Sequence, residues 1–127
     1  MVKGFAHIAL YTNRFDATIA FYEKVFAAEN LGYFQTERKG CWLSIGGDIL
    51  EIFESDALGE GCFKHIGIAC DNVDELFQRA LDCGAAAHVQ PKDICLDLKE
   101  PQEARIAFVK GINGEQIELF MNMNKKS

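Results

Sequence analysis

Phe63-Lys64-His65-Ile66-Gly67-Ile68-Ala69-Cys70-Asp71 restates, 58 positions on (His7 to His65), the stretch Phe5-Ala6-His7-Ile8-Ala9-Leu10-Tyr11-Thr12-Asn13. Each is a short apolar run with histidine third, then Asn or Asp, then a helical pattern opening near Asp16 or Asp74. A second matched pair closes each copy. Gly47-Asp48-Ile49-Leu50-Glu51-Ile52-Phe53 and Gly114-Glu115-Gln116-Ile117-Glu118-Leu119-Phe120 share glycine, glutamate and phenylalanine at an offset of 67 (Glu51 to Glu118). The chain reads His, Glu, His, Glu, twice through one motif.

Working outward from these anchors, residues 5–11 alternate as a strand, with Ala6, Ile8 and Leu10 on one face and Phe5, His7, Ala9 and Tyr11 on the other. Asn13 with Asp16 three residues on reads as an approximate capping box. Phe15, Ile19, Tyr22 and Phe26 then recur at helical spacing. Asn30-Leu31-Gly32 breaks the pattern. Strands are expected over 33–36, 41–45 and, beyond the tight turn at Gly46-Gly47, 49–54. The polar, glycine-rich residues 55–62 read as a linker. The second copy predicts a strand at 63–69, a helix over 73–83 with Gly84 as its C-cap glycine, a short strand at 87–90, and strands at 105–110 and 116–121. Its nine extra residues are expected within 94–104. The fold class is α+β: two tandem βαβββ modules, 1–54 and 63–127, in one pseudo-symmetric domain of 1–127.

At 127 residues the chain holds one ordinary core and is short for two. A net charge of −6 lacks the basic stripe that phosphate binding needs, so nucleic acid is not an expected partner. No run of eighteen apolar residues and no apolar leader occur, so neither a membrane nor secretion is expected and the location reads as cytoplasmic. Five cysteines with irregular gaps signal neither a disulfide framework nor a thiolate metal site. They are expected reduced and mostly buried. Cys62 and Cys70 lie near His65 in sequence, but neighbours along a strand are not geometric partners, so no cysteine nucleophile is read.

Singly, a strand histidine is most often structural and a glutamate beside a turn is usually solvated. Recurrence in register changes that reading. Glu51 shares its face with Ile49 and Phe53, and Glu118 with Gln116 and Phe120, on strands that are apolar on both sides. An ionised carboxylate in such a place is costly unless paired, hydrogen-bonded or bound to a metal. His7, Glu51, His65 and Glu118 are therefore candidate ligands for a divalent first-row ion, a set that accommodates Ni, Co, Mn, Fe or Zn. Phe5, Tyr11, Phe53, Phe63 and Phe120 share those faces and suggest an apolar pocket for a small-molecule substrate. Trp42 shares a face with Ser44 and fits either a cleft rim or core. Arg105 and Lys110 could receive a substrate carboxylate, although surface charge is the plainer reading. His88 has no counterpart in the first copy and reads as structural.

These stretches, together with Ala20-Phe21-Tyr22, resemble the vicinal oxygen chelate superfamily, which includes glyoxalase I, methylmalonyl-CoA epimerase, extradiol dioxygenases and the fosfomycin and bleomycin resistance proteins. The His-Glu-His-Glu set is similar to that of glyoxalase I, and the short chain resembles its bacterial form, which implies Ni or Co ahead of Zn, Mn or Fe. The resemblance implies a lyase or isomerase that abstracts a proton from carbon next to a metal-bound carbonyl through an enediolate, with Glu118 as base and Glu51 as the symmetric alternative. It also implies a homodimer and a curved mixed sheet around a metal cleft. The acidic turn usual before the last strand is here Gly111-Ile112-Asn113-Gly114, and no basic constellation for glutathione carboxylates stands out. A non-catalytic, resistance-type binding protein, an epimerase and a dioxygenase are the alternatives.

Overall fold

The chain order in the computed structural model, which describes residues 5–58 and 65–125, is the same β-α-β-β-β twice over. The first copy comprises β1 (His7–Thr12), α1 (Phe15–Phe26), β2 (Glu29–Gln35), β3 (Lys39–Ile45) and β4 (Asp48–Glu54). The second comprises β5 (Ile66–Ala69), α2 (Val73–Asp82), β6 (Ala86–Leu96), β7 (Gln102–Lys110) and β8 (Gln116–Asn122). The copies fall in two units, Met1–Gly61 and Cys62–Ser127. Each makes its own four-stranded mixed sheet, in the order β1-β4-β3-β2 and β5-β8-β7-β6. Parallel pairing of first and last strand requires a crossover, and the helix supplies it.

In the first unit α1 buries Phe15, Ile19, Tyr22 and Val25, and the sheet buries Cys41, Leu43, Leu50 and Ile52. Strand alternation leaves Ile49, Glu51 and Phe53 on the opposite face. The entry to α1 departs from the Asn13 capping box. Arg14 occupies the cap position and supplies no side-chain capping hydrogen bond. Thr12 Oγ1 accepts from Arg14 N at 2.8 Å, and Thr18 Oγ1 donates to Arg14 O at 2.7 Å. The two threonines, both fully buried and 3.0 Å apart, thus anchor the turn from inside. Asn30-Leu31-Gly32 is a bulge rather than a break. Asn30 Oδ1 accepts from Gly32 N at 2.8 Å, the register shifts there, and β2 begins at Glu29, earlier than the expected residue 33. Gly46 and Gly47, with φ of 57° and 94°, make the two-residue β3–β4 hairpin with positive φ at both positions, the pattern of a type I′ turn.

In the second unit Asn72 Oδ1 accepts from Glu75 N at 3.1 Å and opens α2. Gly84, at φ 103°, donates to Leu81 O while Ala85 donates to Ala80 O, a Schellman closure at the glycine singled out from the sequence. The core joins Val73, Phe77 and Ala80 with Ala107, Val109, Ile117 and Leu119. The expected short strand at 87–90 is instead an eleven-residue β6 that runs through Pro91. Its register shifts between Ala87 and Val89 and again between Val89 and Lys92, which absorbs the missing N–H on a strand at the end of its sheet. The extra residues of this copy thus lengthen the β6–β7 hairpin.

Candidate metal-ligand pairs

Parallel pairing sets Ala9 opposite Glu51 and Gly67 opposite Glu118, so the small residue of each first strand faces the glutamate of each last one. The missing bulk leaves room on that face for the imidazole two residues earlier to lean over. His7 Nε2 lies 3.5 Å from Glu51 Oε1, and His65 Nε2 lies 3.1 Å from Glu118 Oε1. The two carboxylates are similarly enclosed, 14% and 16% exposed, and the two imidazoles are more open at 40% and 34%. Each unit therefore offers one imidazole nitrogen and one carboxylate oxygen side by side, donors suited to a divalent first-row ion. Within either unit, among the described residues, no third His, Cys, Asp or Glu joins the pair.

The antiparallel neighbour of each last strand separates the two pairs chemically. Trp42 stands opposite Glu51 and Phe108 opposite Glu118. The Trp42 indole Nε1 donates to Glu51 Oε2 at 2.7 Å, and its ring lies 5.9 Å from that of His7. Phe108 has no donor to offer and meets the His65 ring edge-on at 5.0 Å. The pairing of positions 42 and 51, though not the hydrogen bond between their side chains, was within reach of the sequence: a two-residue turn at Gly46-Gly47 fixes the register, and counting back from Ile45 opposite Asp48 puts Trp42 opposite Glu51.

Of the expected pocket residues, Tyr11 and Phe53 are brought together, their rings edge to face at 6.1 Å. With Thr36, Glu37 and Arg38 they line a cavity of about 290 Å³, and the Arg38 guanidinium lies 5.1 Å over the Tyr11 ring. Phe120 shares its face with Glu118, Phe5 is fully exposed, and Phe63 lies outside the described residues. Arg105 is spoken for. It grips Asp74 of α2 through two bonds of 2.7 and 2.9 Å and Asp93 of β6 through one of 3.0 Å. Its side of β7 is the helix side, away from Glu118, and the guanidinium beside Asp74 holds that carboxyl below the usual range. His88 sits exposed at the β6 bulge, its ring 6.3 Å from that of Phe108.

Only Cys41 of the described cysteines is buried; Cys70 and Cys83 are half-buried and Cys95 is exposed, so burial is less general than expected. Burial, reinforced by the nearby Glu23 carboxylate, pushes the Cys41 thiol up. Burial likewise raises that of Cys70, which disfavours the thiolate a nucleophile requires. Cys62 lies outside the described residues. No helix is long and apolar enough to cross a membrane, among the described residues.

Residues 4–119 match the model of a protein family described as the glyoxalase/bleomycin resistance protein/dioxygenase superfamily. No curated protein matches the sequence. Among solved structures, the fosfomycin resistance protein FosX of Listeria monocytogenes is 24% identical with a TM-score of 0.75, over 95% of this chain and 94% of that one. A glutamate-to-glutamine mutant of the same protein, complexed with Mn(II) and 1S,2S-dihydroxypropylphosphonic acid, is 25% identical with a TM-score of 0.74, over 94% and 90% of the two chains. A glyoxalase/bleomycin resistance protein/dioxygenase family enzyme of Burkholderia phytofirmans is 15% identical with a TM-score of 0.75, over 91% and 96%.

Proposed function

The chain belongs to the glyoxalase/bleomycin resistance protein/dioxygenase superfamily, and from that premise we propose a metal-dependent lyase or isomerase of the glyoxalase type, acting on a small molecule in the cytoplasm. The observation that carries this reading is the recurrence, once per module, of an imidazole nitrogen within 3.5 or 3.1 Å of a carboxylate oxygen. Two donors are fewer than such an ion takes from protein, and the two pairs together supply four. In this proposal His7, Glu51, His65 and Glu118 hold one ion, with both modules acting as one domain over residues 1–127 or as shares of a homodimer. Nickel or cobalt is the first choice, then zinc, manganese or iron; the Mn(II) bound by the FosX mutant supports a divalent ion.

A divalent ion bound by these four residues would supply Lewis acidity at a substrate oxygen. The remaining work falls to the chain. A carboxylate must leave its resting contact to take a proton from carbon beside the substrate carbonyl. Glu51 has its second oxygen held by Trp42, whereas among the described residues nothing but His65 holds Glu118. Glu118 is therefore the better base, and Glu51 the steadier ligand. Tyr11 and Phe53, on the face of Glu51, and Phe120, on the face of Glu118, provide apolar surface to keep water from the reacting carbon. An anionic group on the substrate has to find a cation other than Arg105, whose donors are already taken by Asp74 and Asp93.

Metal analysis of the purified protein is the test, followed by an isomerisation screen on hemithioacetals with each candidate ion restored. Loss of bound ion and of turnover in Glu51→Gln and Glu118→Gln supports the proposal. Unchanged ion content in both variants refutes these carboxylates as ligands. The likeness to FosX favours one second reading, a resistance-type protein that takes a small phosphonate. Binding of 1S,2S-dihydroxypropylphosphonic acid without any isomerase activity would select it.

A further inference from the structure

We infer that Trp42 is a positioning residue for the metal ligand Glu51, an inference that rests on the metal reading above and adds to it. The Glu51 carboxylate is divided between two tasks. Oε1 is turned toward His7 Nε2 at 3.5 Å, while Oε2 accepts the Trp42 indole N–H at 2.7 Å. A carboxylate can meet an ion through one oxygen or both, and an indole N–H on Oε2 would favour Oε1 as the oxygen offered to an ion. The strand position of the holder is set by its neighbours. Trp42 is fixed opposite Glu51 by the β3–β4 register, and that register is set by the two-residue Gly46-Gly47 turn next to it.

Chemistry at the equivalent position in the second unit sharpens the assignment. Phe108 occupies the place of Trp42 and presents only a ring edge to His65, so the aromatic wall is kept while the donor is not. An indole kept merely to fill space would need no bond to the carboxylate. The positions are thus alike in packing and unlike in hydrogen bonding, and only Glu51 has its orientation set from behind. Outer-shell donors of this kind commonly govern ion affinity by about 10- to 100-fold.

Trp42 is the only tryptophan in the chain, so its emission reports on Glu51 directly. The experiment adds Zn(II), and separately Co(II), to metal-free full-length protein, following tryptophan emission and measuring affinity by chelator competition. In the unaltered protein the emission should change as the ion is taken up. Trp42→Phe, which keeps the ring and drops the donor, should weaken affinity by about 10- to 100-fold with its thermal unfolding midpoint little changed. Wild-type affinity in a folded Trp42→Phe variant would overturn the inference. Should that variant fail to fold, the emission of the unaltered protein decides, because an indole bonded to the coordinating carboxylate must sense the ion. Emission that stays constant in the unaltered protein while the ion binds overturns the inference and leaves the metal reading standing. Absence of any ion binding by the unaltered protein overturns both.

Discussion

The two modules place an imidazole at or next to the start of the first strand and a carboxylate on the last, yet they back them differently. In the first, an indole pins the far oxygen of Glu51; in the second, Phe108 leaves Glu118 with His65 alone among the described residues. Duplication thus explains why two pairs exist, and under the proposed function divergence of one strand neighbour would let equivalent carboxylates take unequal roles. A ligand benefits from restraint because its geometry must not drift, whereas a base must move between a resting contact and a substrate proton.

The largest expected effect tests that division of labour. Glu118→Gln should lower isomerase turnover by about 10²- to 10⁴-fold and stay low when the ion is supplied in excess, because a carboxamide takes no proton. Glu51→Gln should lose activity chiefly through lost ion and recover with excess ion. Equal recovery of both, followed by activity and ion content together, would erase the distinction between the modules.

A second difference lies one step along the same face. Gly40 stands opposite Phe53 where the other module has Ile106 opposite Phe120, and a methyl group at Gly40 would run into the Phe34 ring. Gly40→Ala should cost about 1–3 kcal/mol by urea unfolding, the usual penalty of overpacking. A neutral outcome would mean that Phe34 swings aside freely.

The helix ends differ as well. Ala27 closes α1 in a left-handed conformation at φ 53°, a role that Gly84 fills after α2 at φ 103°. Ala27→Gly should raise stability by about 0.5–1 kcal/mol, since removing the Cβ relieves more strain than the added chain freedom costs. A lower midpoint in the same urea titration would contradict this.

The smallest effect belongs to Arg105, the tie between α2 and its sheet that has no counterpart described in the first module. Arg105 holds the Asp74 carboxyl below its ordinary value, so the stabilisation is full above the unfolded-state pKa of about 4 and fades as pH falls through the lower folded one. Arg105→Gln should slightly lower the thermal midpoint at pH 7. The gap to the unaltered protein should shrink on acidification below about pH 4. A gap independent of pH would assign the loss to packing instead.

Much of this architecture was legible in the residues. His7 and His65, Glu51 and Glu118 recur with their flanking glycines and phenylalanines, and a repeat of that kind carries element order and strand faces with it. Gly46-Gly47 and Gly84 announced their turns because few other residues tolerate their dihedrals. Other features were hidden. Pro91 reads as the end of a strand, and only a ladder able to shift register lets β6 continue past it. Arg105 reads as a free cation until α2 brings Asp74, 31 residues away in sequence, against it.

Sequence alone determined the doubled module and its four chemically matched side chains, because local periodicity and spacing fix which residues share a strand face. Tertiary structure alone decided which donors those side chains meet. A hydrogen bond such as that from Trp42 to Glu51 depends on distances and angles set to a few tenths of an ångström by neighbouring strands, and no pattern along one strand encodes them.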